Sequence, residues 1–217
     1  MSSLKNLLFK NKQHLREAVW AYMERNNLVT FPRPCHGRIP NFIGSKDAAD
    51  RLKNLEEWKK AKAIFSAPDS SLHSARCEAL EEGKILLVAA PKLTGFYLLK
   101  DIPLEKTFEA SSIRGFSRFG KPAKIDPRLP RIDLYLTGAV AVDKRGNRIG
   151  KGTGYGDRED TILSEAGLID EETPRVALVH DVQVFEDFSS LMDKNDKKVM
   201  IIVTQEKVYR IAYYSLN

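Results

Sequence analysis

A chain of 217 residues with 42% hydrophobic content and a net charge of +6 is long enough for one domain with a full core. Its two cysteines, Cys35 and Cys77, argue against a disulfide framework or a zinc site, and no apolar run approaches the ~20 residues of a membrane span. The charge is uneven. Residues 1–62 hold 13 Lys and Arg against 6 Asp and Glu, whereas residues 63–217 hold 22 against 23. We therefore divide the chain into a basic N-terminal helical segment with a Pro-rich loop, 1–62, packed on an α/β core, 63–217. The basic segment would draw in a small anionic partner. Nucleic acid is not expected, because no basic run is interleaved with aromatics. The polar stretch Met1–Lys12 has no apolar signal region, so a cytoplasmic protein is the default expectation.

Lys12 to Asn27 reads as an amphipathic helix, with Leu15, Val19, Tyr22 and Met23 at helical spacing and Asn26–Asn27 as a stop. Lys12 and Arg16 lie four apart and share a face. Phe31 to Phe42 is a proline-rich loop. Its adjacent Cys35 and His36 are poorly placed as nucleophile and base, since neighbours seldom point at one another. Ser45 reads as the N-cap of a helix running to about Trp58.

Ala63–Ser66 reads as a strand, followed by a helix capped near Ser70 or Ser71 and ended by Gly83. Ile85–Ala90 is a strand that is apolar throughout, as expected where both sheet faces are covered. Phe96–Leu99 is a further strand. Ser111–Lys121 reads as a loop or short helix, with Phe116 or Phe119 placed to stack on a flat substrate ring. Leu134–Val142 reads as one buried strand. After it come a helix from near Asp157 to Gly167, strands at Val176–Val179 and Met200–Val203, and a last strand at Val208–Tyr214.

Alternating strands and helices, with apolar strands lacking period-2 alternation, predict a three-layer α/β/α domain with a mainly parallel sheet. Ligands in such folds sit beyond the carboxyl ends of the strands. Asp181–Gln183 and Thr204 follow two of those strands, so Gln183 is a candidate substrate contact.

The most informative stretch is Arg148-Ile149-Gly150-Lys151-Gly152-Thr153-Gly154-Tyr155-Gly156-Asp157-Arg158. Alternating glycines let the backbone approach a ligand and aim successive N–H groups at it, forming an anion nest. Arg148 and Lys151 add positive charge, and the following helix adds its positive end. Asp157 would repel a bare phosphate but suits one that arrives with magnesium. The spacing is neither a Walker loop nor a completed G-x-G-x-x-G. The stretch points to a nucleotide triphosphate site in the core.

These residues resemble the 5-formyltetrahydrofolate cyclo-ligase (methenyltetrahydrofolate synthetase) family, which carries a segment of the form R-[LI]-G-x-G-x-G-Y-Y-D-R. Arg148, Ile149, Gly150, Gly152, Gly154, Tyr155, Asp157 and Arg158 match it, while Gly156 stands where the family has a second tyrosine. Lys12 and Arg16 match a Lys-x-x-x-Arg pair that contacts ATP in the family, and Gly83-Lys84 matches a pair before the second strand. The Pro-rich loop resembles a divergent branch, the methenyltetrahydrofolate synthetase domain-containing proteins. Two departures stand out. Arg128-Leu129-Pro130 replaces a Glu-Pro segment before Asp133, and the serines and His73 around Asp69 replace a Glu-Val-Asp segment.

The resemblance implies a fold like that of the ribose-phosphate isomerase and CoA-transferase group. It implies an ATP- and Mg2+-dependent cyclo-ligase acting on an anionic reduced folate. Under it, Gly150, Lys151, Gly152, Thr153 and Gly154 would cradle phosphates, with Lys12, Arg16 and Arg148 neutralising charge. Asp157 would hold magnesium, and Arg148 and Tyr155 would flank the reacting centre, with Phe116, Tyr155 and Gln183 toward the substrate. The alternatives are a ligase or phosphotransferase of the same family acting on another heterocycle, and a non-enzymatic nucleotide- or RNA-binding regulator.

Overall fold

The computed structural model describes Leu4 and residues 7–212. In chain order it contains α1 (Lys12–Arg25), α2 (Ser45–Lys53), α3 (Glu56–Lys60), β1 (Ala63–Ser66), α4 (His73–Glu81), β2 (Ile85–Ala89) and β3 (Phe96–Leu99). Next come α5 (Thr107–Ala110), α6 (Gly115–Phe119), β4 (Lys121–Ala123), β5 (Leu134–Thr137), β6 (Ala141–Asp143) and β7 (Arg148–Ile149). The chain continues through α7 (Tyr155–Glu165), β8 (Arg175–Leu178), β9 (Val184–Phe185), β10 (Ile201–Val203) and β11 (Val208–Arg210).

The main sheet has the order β11-β10-β8-β5-β1-β2-β3-β4. Its centre, β10-β8-β5-β1-β2, is parallel, and antiparallel strands occupy both edges. Every residue of β1, β5 and β10 is buried, because helices cover both faces and no strand position can point to water. Ile64, Leu134, Leu136 and Val176 face one cluster with Leu15 and Val19 of α1, Leu52 of α2 and Ala79 of α4. Phe65, Leu87 and Tyr135 face the other with Leu163 of α7. The mainly parallel, two-sided α/β arrangement expected from the sequence is the one observed. No helix among the described residues is long and apolar enough to cross a membrane.

Three sequence expectations need correction. Leu134–Val142 is not one strand: β5 ends at Thr137, and β6 belongs to a second small sheet of order β7-β6-β9. The break falls at Gly138, where an added Cβ would lie 2.6 Å from Cγ2 of Ile39. The chain turns there beneath the N-terminal loop. Ser45 is not the cap of α2. Gly44, at φ 90°, fills that place, and the helix ends at Lys53 before α3 starts again. The last strand is Val208–Arg210, and Tyr213 and Tyr214 of the expected span lie outside the described residues.

The Pro-rich loop is held to α1 by one carboxylate. Glu24 accepts from the Cys35 amide at 2.6 Å and from Arg33 Nη2 at 2.6 Å. The amide and then Arg33 hold this carboxyl below the usual carboxylate range. A depressed folded pKa means stability that is present above the unfolded pKa and lost as pH falls through the folded one. Glu24→Gln is therefore expected to lower stability at pH 7 by about 1–2 kcal/mol. Denaturant melts of the two proteins should converge as the pH drops below ~4. An equal gap at both pH values would separate Glu24 from this role. Burial, helped by Glu24, pushes the Cys35 thiol up to about 12, so Cys35 is no nucleophile.

Candidate active site

A cleft of about 500 Å³ opens beyond the carboxyl ends of three parallel strands. Pro68 and Asp69 follow β1, Pro91 follows β2 and Gly138 follows β5, and all four line it. One wall is the glycine loop, Gly150 to Gly154, between β7 and α7. No main-chain carbonyl among the described residues accepts the N–H groups of Lys151, Gly152, Thr153 or Gly154, which leaves them available to an anion. Gly154 starts α7 with no side-chain cap, so the positive end of that helix is open as well.

The first helix closes the opposite wall. Arg16 Nε donates to the Gly150 carbonyl at 2.7 Å. Gly152 sits at φ +100°, a backbone conformation that favours glycine, and a Cβ there would lie in ordinary contact with the Arg16 guanidinium at 3.4 Å. Lys12 is bridged to Asp193 at 2.6 Å and Asp196 at 2.5 Å. Burial opposes its charge, yet those two carboxylates outweigh burial and hold its pKa above the ordinary value. Lys12 thus reaches the cleft as part of an ionic cluster rather than as a bare cation.

Arg148 lies at the base, nearly buried. It donates to the Gly138 carbonyl at 3.3 Å and to Asp157 Oδ1 at 3.0 Å. Its guanidinium crosses the first turn of α7, where a Cβ on Gly156 would lie 2.7 Å from Nη2. A side chain at the position where a tyrosine is expected from the resemblance would therefore require the Arg148 guanidinium to shift. α7 itself is anchored by buried Leu163, by an Arg175–Asp160 ion pair of 2.5 Å and by the Tyr135 hydroxyl donating to the Gly156 carbonyl at 3.3 Å.

The structure thus brings together Lys12, Arg16, Arg148, Gly150, Lys151, Gly152, Thr153, Gly154, Tyr155 and Asp157 around one cleft. It does not bring Phe116 or Gln183 to it. Phe116 is 1% exposed and packs in the core, with the Arg76 guanidinium 5.1 Å from its ring. Gln183 is fully buried and donates to the Ala139 and Val140 carbonyls at 2.9 and 3.1 Å, so it braces the chain after Gly138. The ends of β8 and β10 are covered instead of open. Phe42 packs its ring against His180, and Arg51 donates to the Gln205 carbonyl at 3.1 Å.

Three residues at the site were not picked out from sequence. Arg76 is fully buried and donates to the carbonyls of Ala67, Asp69 and Ser111 at 2.9, 3.0 and 2.9 Å. It fixes the loop that carries Asp69 into the cleft. Burial pushes the Asp69 carboxyl up, against the pull of Lys151, Arg76 and Arg148. Glu159 lines the cleft yet is only 2% exposed, and burial followed by the Asp69 charge pushes it up to about 8. The signal for Glu159 was its spacing: it lies four residues after Tyr155 and four before Leu163, on the inward face of α7.

The 5-formyltetrahydrofolate cyclo-ligase family matches the chain over residues 9–205. A methenyltetrahydrofolate synthase domain-containing protein of Homo sapiens is 39% identical over 207 residues, covering 91% of this chain and 53% of that protein. The chain therefore spans about half the length of such relatives. A probable 5-formyltetrahydrofolate cyclo-ligase of Schizosaccharomyces pombe is 26% identical, covering 87% of this chain and 98% of that one. Among solved structures, the 5,10-methenyltetrahydrofolate synthetase of Aquifex aeolicus superposes with a TM-score of 0.56 at 21% identity, over 95% of this chain and 99% of the other. The corresponding Mycoplasma pneumoniae structure gives 0.53 at 16% identity, over 89% and 98%. At these identities the structural likeness speaks for the fold.

Proposed function

This chain belongs to the 5-formyltetrahydrofolate cyclo-ligase family, and on that premise we propose that it is an ATP- and magnesium-dependent cyclo-ligase. It would convert 5-formyltetrahydrofolate to 5,10-methenyltetrahydrofolate. The observation that carries this reading is the convergence of the open glycine loop, the start of α7 and the cations Arg16, Arg148 and Lys151 on one cleft. In the reaction the N5-formyl oxygen takes the γ-phosphoryl group of ATP, and ADP leaves. N10 then attacks the activated formyl carbon, the ring closes, and inorganic phosphate departs with the oxygen.

Phosphoryl transfer of this kind depends on positioning and charge stabilisation, which the backbone N–H groups and Arg148 are placed to supply. Asp157 fits a magnesium ion: it is a part-exposed carboxylate beside the cradle, and Mg2+ in phosphate sites takes one or two carboxylates with phosphate oxygens and water. Bound there, the ion would offset the charge of the β- and γ-phosphates. Tyr155, the first residue of α7, lines the same cleft and would stand between the phosphates and the substrate.

The test is a spectrophotometric assay with 5-formyltetrahydrofolate, ATP and magnesium, following methenyltetrahydrofolate. ATP-dependent product formation is expected. Folded protein that binds ATP but forms no product would reject the reaction. The outcome then supported is a family member acting on another heterocycle. Arg148 filling the space over Gly156, and Asp69 with serines in place of a Glu-Val-Asp segment, are the observations that favour this second reading.

Arg148 and Gly156 are coupled, and this can be tested directly. Gly156→Ala places a Cβ into the guanidinium and pushes it off Asp157. We expect affinity for Mg-ATP to fall roughly tenfold, about 1.4 kcal/mol, with little change in melting temperature. Calorimetric titration showing native affinity would mean that Arg148 is free to move aside.

A further inference from the structure

We propose that Glu159 is the residue that selects the substrate's ring system, by accepting hydrogen bonds from the N–H edge of a heterocycle at the floor of the cleft. The inference rests on the function proposed above and names the part of the ligand that the deep end would hold. Among the described residues only three buried side-chain polar atoms lack a partner: Arg51 Nε, Ser71 Oγ and Glu159 Oε2. Two of them belong to the same end of the cleft. A Cβ on Gly138 would lie 3.1 Å from Asp69 Oδ2 and 3.3 Å from Ser71 Oγ, so these oxygens converge there. Asp69 is also the carboxylate whose charge Glu159 feels most.

The cleft is thus polarised. N–H groups and the cations Arg16 and Lys151 line the glycine-loop side, and oxygens that accept line the side at Gly138, with Arg148 between the two. A buried carboxyl oxygen with no partner is costly, and water-filled polar clefts do not leave such groups nine-tenths covered without a use; two donated hydrogen bonds would draw Glu159, whose pKa burial raises, into its ionised, accepting form. A ligand matching both ends has phosphate at one and two adjacent N–H groups at the other. A carboxylate pairs best with two parallel donors in one plane, which a ring N–H beside an exocyclic amine provides. Glu159 lies four residues beyond Tyr155, one turn further along the same face of α7, and both line the cleft. A cation there would need several protein ligands. No group of three His, Cys, Asp or Glu side chains among the described residues could hold a metal ion.

The experiment is equilibrium binding to the full chain of 6-methyltetrahydropterin, of its analogue lacking the 2-amino group, and of Mg-ATP. Wild-type protein, Glu159→Gln and Glu159→Leu are compared. The expected result is that both variants lose at least about tenfold in pterin affinity while Mg-ATP affinity stays within about twofold. Wild type should bind the analogue at least about tenfold more weakly than the pterin, and the variants should not weaken it further. Equal pterin affinity in wild type and Glu159→Gln would overturn the inference. So would an equal loss for the pterin and the analogue, or parallel loss of pterin and Mg-ATP. If the leucine variant fails to fold, the near-isosteric glutamine and the comparison of the two pterins on wild type still decide it. Pterin binding without turnover of 5-formyltetrahydrofolate would reject the proposed reaction and leave Glu159's role standing. Wild type that binds neither pterin would overturn the inference even if ATP still binds.

Discussion

Asp157→Asn is expected to lower magnesium-dependent ATP turnover by at least about 100-fold while leaving the fold intact. The carboxylate is part-exposed, and its close partners are Arg148 Nη2 at 3.0 Å and the Lys197 amide at 3.5 Å. Neither contact supports the core, so unfolding should change little. The sign of the binding effect separates this role from a structural one. Asn removes the charge that magnesium needs, and Mg-ATP should bind more weakly. The same change releases Arg148 from its ion pair, so metal-free nucleotide should bind as well as before or better. Parallel titrations with and without magnesium read both arms. Unchanged turnover would take Asp157 out of the mechanism, and equal loss with and without metal would show that it only holds Arg148.

Arg76→Met should produce the largest stability loss of any single change considered, about 3–5 kcal/mol. Its guanidinium is fully buried between α4, the loop after β1 and the turn at Ser111. Methionine keeps much of the apolar contact with Phe116 but removes one donor from each of the carbonyls of Ala67, Asp69 and Ser111; Ser66 Oγ and the Leu72 amide still serve the first two, and Ser111 loses its donor outright. It also removes a cation that offsets the buried Asp69 carboxyl. For a chain of this size the melting temperature should drop by roughly 10 °C. Because Arg76 holds the loop carrying Asp69, ligand affinity should fall too, even well below the new melting point. A loss under about 1 kcal/mol would mean that water or a rearranged loop satisfies the Ser111 carbonyl and that Asp69 does not depend on the Arg76 charge.

The N-terminal segment does more than raise local positive charge. Arg16 braces the glycine loop from across the cleft, and Lys12 arrives already paired with Asp193 and Asp196. The basic excess of residues 1–62 is therefore partly neutralised at the point where it meets the site. An anion in the cleft would have to compete with those carboxylates for Lys12, whereas Arg16 and Lys151 have no ion-pair partner among the described residues.

The sequence by itself determined the sheet and the glycine-loop wall of the cleft. Apolar runs such as Ile85–Ala89 can only be strands covered on both faces, and a loop with glycines at 150, 152 and 154 beside Arg148 has few uses other than a close backbone approach to an anion. These are local properties, carried by residues adjacent along the chain. What only the tertiary structure decided is where polar and aromatic side chains spend their contacts. Phe116 looked like a stacking platform and Gln183 like a ligand contact. The first is held under Arg76 and the second braces the chain after Gly138, because partners 40 residues or more away in sequence reach them first. Glu159 went the other way. Its spacing from Tyr155 and Leu163 puts it on the inward face of α7, and the packing of α7 on β5 and β8 brings it to the cleft with one oxygen left unpartnered. Burial of a charge depends on which face of a helix the sheet receives, and that face is set by the whole fold.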